Sequence, residues 1–78
     1  MNLLKAKSQF YYSLSTLVDA GVITVRALRQ NYPPPFRRIA HEMANWIEHG
    51  EGELGRLMER WPRVFSPMET RLVTVGQQ

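Results

Sequence analysis

The chain has 78 residues, 44% of them apolar, with ten basic side chains against seven acidic ones and a net charge of +3. That length leaves room for one domain over residues 1–78, since domains usually run from about 50 residues upward, and the apolar fraction is too high for a disordered tail. Cysteine is absent, which removes disulfides, thiolate metal sites and cysteine nucleophiles together and fits a reducing compartment.

No stretch approaches the ~20 apolar residues that cross a bilayer, and Lys5 and Lys7 interrupt the opening Met-Asn-Leu-Leu before a signal-peptide core can form. The segment is therefore expected to be soluble. Its charge is uneven. Residues 1–40 carry Lys5, Lys7, Arg26, Arg29, Arg37 and Arg38 against Asp19, a balance of +5, and residues 41–78 carry four arginines against six glutamates, a balance of −2. A basic half suits nucleic acid, anionic lipid or an acidic protein face, or is simply a solvated surface.

In chain order, Phe10, Leu14, Leu17, Val18 and Gly21 fall on one helical stripe. Ser8 is placed to cap that helix and Asp19-Ala20-Gly21 to stop it. Val22, Val25, Ala27 and Leu28 begin a second short helix, with Arg26 and Arg29 three apart on one face. The β-branched run Val22 to Val25 is the one ambiguity, and its place after a helix-ending glycine favours a helix start. Tyr32-Pro33-Pro34-Pro35 must end the helix, because proline lacks the amide proton and pushes its predecessor out of helical geometry.

Residues 36–49 make the clearest helix, with Phe36, Ile39, Ala40, Met43, Trp46 and Ile47 at three-four spacing and Gly50 at its exit. After the turn Gly50-Glu51-Gly52, Leu54, Leu57, Met58 and Trp61 give a fourth helix that Pro62 closes. Ser66-Pro67-Met68-Glu69 has the form of a capping box, and Met68, Leu72 and Val75 supply the apolar stripe of a fifth helix. No segment alternates as a strand does. The expected fold is all-α, a compact bundle of about five to six short helices joined by tight turns.

Catalytic and metal chemistry find little support. His41 and His49 are separated by about 80° of rotation and two helical turns, too far to share one ion. Glu42, Asn45 and His49 share a face without any familiar metal spacing. Glu51 and Glu53 sit in a glycine turn with no nucleophile near, and Ser13, Ser15 and Thr16 have no histidine in local reach. Gly50-Glu51-Gly52 is followed by no Lys-Ser or Lys-Thr, and its acids would repel phosphate. No enzyme, cofactor or metal is expected. Phe10, Trp46 and Trp61 read as core residues by their helical spacing, whereas the stripe leaves at least one of Tyr11 and Tyr12 outside.

The ordered set Phe10, Leu14, Leu17, Asp19-Ala20-Gly21-Val22, Arg26-Ala27-Leu28, Gly50, Leu54, Pro62-x-x-Phe65 and Leu72-x-x-Val75-Gly76 resembles the type II secretion F-protein family. That family is the inner-membrane platform protein of type II secretion and type IV pilus machines. The likeness spans residues 8–78 as one copy of its cytoplasmic helical domain. Two departures stand out: the turn from Gly50 to Leu54 is one residue longer, and Gln77 replaces a common glutamate, so a role for that acid does not carry over. The family's glycine-rich segment and membrane helices are not in the sequence, which reads either as an excised cytoplasmic domain or as a stand-alone relative.

The resemblance implies a non-enzymatic scaffold on the cytoplasmic face of the bacterial inner membrane, contacting the assembly ATPase and other inner-membrane components. Leu14, Leu17, Leu28, Leu54, Phe65 and Leu72 would form its core. Arg26, Arg29, Arg37 and Arg38 are the candidate interaction surface, toward an acidic partner or anionic lipid. Self-association as a dimer or higher oligomer suits so thin a core. The alternative is a small basic nucleic-acid-binding domain, reading through residues 36–49, where Glu42 and Glu48 oppose phosphates.

Overall fold

The computed structural model describes residues 2–76, so Gln77 lies outside the described residues. Among those residues the protein is all-helical, with five helices: α1 (Leu3–Asp19), α2 (Thr24–Leu28), α3 (Phe36–Glu48), α4 (Leu54–Met58) and α5 (Pro67–Gly76). They fall into two compact units, Met1–Asn45 and Trp46–Gln78.

In the first unit, α1 starts earlier than its expected cap. Asn2, not Ser8, is the N-cap, its side chain accepting the Lys5 N–H at 2.8 Å. The stripe also runs further back, because Ala6 lies one turn before Phe10 and is buried with Phe10 and Leu14. Leu17 is only half-buried and Val18 is exposed. At the other end the Gly21 N–H donates to Val18 O and the Val22 N–H to Leu17 O. Those paired bonds form a Schellman motif, and Gly21 holds the left-handed position at φ 90° that the motif requires. The β-branched run resolves into a non-helical Val22, an extended Ile23 and a helix beginning at Thr24.

The proline run places a core residue that hydrophobic periodicity did not reveal. Tyr32 is buried, its hydroxyl donates to the Ala27 carbonyl at 2.6 Å, and its ring meets Phe10 edge-on at 5.0 Å. Phe10 also stacks on Phe36 at 5.0 Å. Burying rings of this size contributes about 1.5–3 kcal/mol each, and the offset and edge geometries add to it. Ala27, Leu28, Ile39, Ala40, Met43 and Ala44 are buried as well.

In the second unit, α3 ends in another Schellman motif. The Gly50 N–H donates to Ile47 O and the Glu51 N–H to Trp46 O, with Gly50 at φ 72°. The fourth helix is shorter than its apolar spacing suggests. It stops at Met58, and turns through Trp61 and Phe65 carry the chain on. The capping box at α5 forms in both directions: the Ser66 N–H donates to Glu69 Oε2 at 2.6 Å and the Glu69 N–H to Ser66 Oγ at 3.2 Å. Leu54, Leu57, Met58 and Phe65 are buried.

α5 presents the opposite face from the one its apolar spacing suggests. Met68, Leu72 and Val75 are 72%, 66% and 61% exposed, while Thr70 is buried and Thr74 half-buried. Leu72 is therefore not a core residue. The inward hydroxyls are satisfied within the helix, Thr70 Oγ1 donating to Pro67 O at 2.9 Å and Thr74 Oγ1 to Thr70 O at 2.8 Å, so burying them leaves no unpaired donor. Small inward side chains let α5 approach α4 at Gly55.

Candidate functional site

Three features outside the buried residues hold functional interest, and each belongs to one unit. The first is the outer face of α5. Met68, Leu72 and Val75 lie at i, i+4 and i+7, which places them within a narrow arc of the helix. Single exposed apolar residues are ordinary, but three aligned on one face form a patch.

The second feature is an open groove of about 500 Å³ in the first unit, lined by Pro34, Pro35, Arg37, Arg38, His41, Glu42 and Asn45. α3 supplies the charged side chains from its first turns, and the proline loop supplies the rest of the lining. Of the four expected surface arginines, Arg37 and Arg38 line this groove. Arg29, the C-cap residue of α2, donates through its guanidinium to Asn45 Oδ1 at 2.8 Å and so joins the rim. Arg26 is exposed on α2 and is not among the lining residues. His41 Nε2 sits 3.4 Å from the Gln30 carbonyl oxygen, which ties α3 to the segment after α2.

The third feature is Trp46. Its place on the apolar stripe of α3 made it a core expectation, yet it is 36% exposed, with the Arg60 guanidinium 4.3 Å above its ring. This cation–π contact covers one ring face and accounts for a tryptophan at the surface. Tyr12 is 74% exposed, whereas Tyr11 is half-buried against Phe10, at 5.6 Å between ring centroids.

No group of three or more His, Asp or Glu side chains among the described residues is placed to hold a metal ion. Burial pushes the Tyr32 phenol above its usual range, and the residue is not among those that line the groove. No helix among the described residues is long and apolar enough to cross a membrane.

The matched positions of the secretion-platform resemblance differ in their surroundings, Leu17 being half-buried. Phe10, Leu14, Leu28, Leu54 and Phe65 are buried, Gly21 and Gly50 take positive φ, and Pro62, Leu72 and Gly76 are exposed. Sequence periodicity missed the inward threonines and Tyr32. The Gly55 and Thr74 pairing could have been found only by asking which small residues let two helices approach. Compared with known proteins, the chain matches no family model, no curated protein and no solved structure.

Proposed function

We propose that this chain is a non-catalytic docking module, one cytoplasmic helical domain of an inner-membrane platform protein in a type II secretion or type IV pilus machine. It meets the assembly ATPase and other inner-membrane components at the cytoplasmic face of the bacterial inner membrane. The observation that carries the docking reading is the outward stripe Met68, Leu72 and Val75. A small domain leaves three apolar side chains on one helix face at a cost in solubility that a covering partner removes. Covering them supplies roughly 3–6 kcal/mol before the costs of association.

The platform part of the reading rests on the ordered residues from Phe10 to Gly76. Leu72 supports the docking part alone: it is exposed where the resemblance led one to expect a core residue.

The test is co-purification of the machine's assembly ATPase and inner-membrane components with the protein and with a Leu72→Glu variant. Capture by the wild type, lost in a variant of unchanged melting temperature, is the expected result. Equal capture by both overturns the docking face, and capture of none of these components by either overturns the platform assignment.

A further inference from the structure

We propose that the groove between the proline loop and the start of α3 binds an extended acidic segment of a protein partner. This inference stands apart from the α5 reading, since it concerns a different surface in the other unit and needs no secretion machine.

Charge selects the class of occupant. Arg37 and Arg38 line the groove and Arg29 is held at its rim by Asn45, against the single carboxylate of Glu42. Both Arg37 and Arg38 are exposed, and among the described residues neither guanidinium has an acidic or hydrogen-bonding partner. Guanidinium forks match carboxylates with paired, charge-assisted hydrogen bonds. Both arginines are therefore open to a carboxylate from outside.

Shape selects within that class. The groove is open and holds about 500 Å³, so an occupant lies along it and keeps one side in solvent. Pro34 and Pro35 give one wall a fixed backbone and an apolar surface. Side chains that alternate acid with apolar along an extended segment would place carboxylates on the arginines and apolar groups on the prolines and arginine stems. A membrane surface is flat, and polybasic lipid sites use clusters of about four to eight lysines or arginines without an intervening acid. Three arginines around a concavity, with Glu42 among them, fit a peptide better. The walls are a helix and a proline run, so little ordering is needed on binding.

The test titrates the protein against a short fluorescent peptide alternating leucine with aspartate and glutamate. Parallel arms use vesicles of phosphatidylglycerol and a fluorescent DNA duplex. The expected result is saturable binding of the acidic peptide, weakened at least tenfold in Arg37→Glu/Arg38→Glu and weakened again by raised salt. Both residues are exposed, so the variant should keep its helical circular dichroism. If charge reversal lowers helicity, Arg37→Gln and Arg38→Gln singly take its place, each with at least a threefold loss. Absence of peptide binding at low salt, binding that survives these substitutions in folded protein, or tighter binding to vesicles or DNA than to the peptide overturns the proposal.

Discussion

Gly55 of α4 faces Thr74 of α5 with no room for a side chain between them. A Cβ on Gly55 would overlap the Thr74 hydroxyl and lie 3.0 Å from the Thr74 Cα and backbone nitrogen. The close approach explains why threonines, not the leucine and valine of the same helix, point inward: a larger side chain at Thr74 would hold α5 off α4. With Thr70 and Thr74 turned in, Met68, Leu72 and Val75 must face out.

Gly55→Ala should therefore destabilise the fold even though alanine is the better helix former. Overpacking against backbone costs about 1–3 kcal/mol, and the gain in helix propensity is about 1 kcal/mol. The expected net loss is up to about 2 kcal/mol, a fall in melting temperature of roughly 4–8 °C for each kcal/mol in a domain this small. Adding Thr74→Ala should restore only part of it, because the backbone contacts remain. Thermal unfolding of the single and double variants measures both.

Gly21→Val isolates backbone strain from packing. A Cβ at Gly21 meets nothing within 4 Å, yet φ is +90°. A left-handed conformation costs an L-residue about 1–2 kcal/mol, and more when it is β-branched. The variant should lose more than about 1 kcal/mol in urea unfolding, and Gly21→Asn should lose less.

Tyr32→Phe keeps the ring against Phe10 and removes the hydroxyl from the Ala27 carbonyl, leaving a buried acceptor short of its partner. The expected cost is about 1–2 kcal/mol. The wild type carries a further signature in pH. Burial raises the Tyr32 pKa in the folded state, so the unfolded chain releases this proton first. Stability is full below the ordinary tyrosine pKa of about 10 and falls as pH rises through the folded value. Denaturation series between pH 8 and 11 should show that decline in the wild type and a shallower one in the variant.

Met68→Ser, Leu72→Ser and Val75→Ser should behave unlike core substitutions. Each residue is more than 60% exposed, so each variant should unfold within about 0.5 kcal/mol of the wild type. A loss of several kcal/mol at Leu72 would return it to the interior.

Much of the architecture was legible because several local signals agreed. The helix from Phe36 combined a sustained three-four spacing with a proline before it and Gly50 after it, and it runs to Glu48. The capping box at Ser66 formed as written, since its two bonds are local. Ser8 misled because a good capping residue inside a continuing stripe is overruled by packing, and Ala6 extended that stripe. The inward face of α5 was hidden for a related reason. Threonine counts as polar in any periodicity, yet bonded to its own helix it packs as a small side chain. Tyr32 lay among prolines, where no periodicity exists to place it. Trp46 followed the core spacing and instead lies under Arg60, a pairing fourteen residues distant that local spacing cannot foresee.

The grouping of Arg37 and Arg38 with His41 and Glu42 follows from helical spacing and was within reach of the sequence. Their lining one groove with Pro34 and Pro35 was not, because that depends on the path of the proline loop. Arg26 and Arg29 share a face in sequence but not a role in the structure, since only Arg29 reaches Asn45.

The docking face on α5 is tested most directly by a photo-crosslinking residue placed at Leu72 in the protein within its own cells, with the same probe at exposed Gln9 as control. Adducts identified by mass spectrometry should contain the assembly ATPase, another inner-membrane component of a secretion or pilus machine, or a second copy of the chain, and should be absent from the Gln9 control. A Leu72 probe that yields no protein adduct above that control would contradict the docking face.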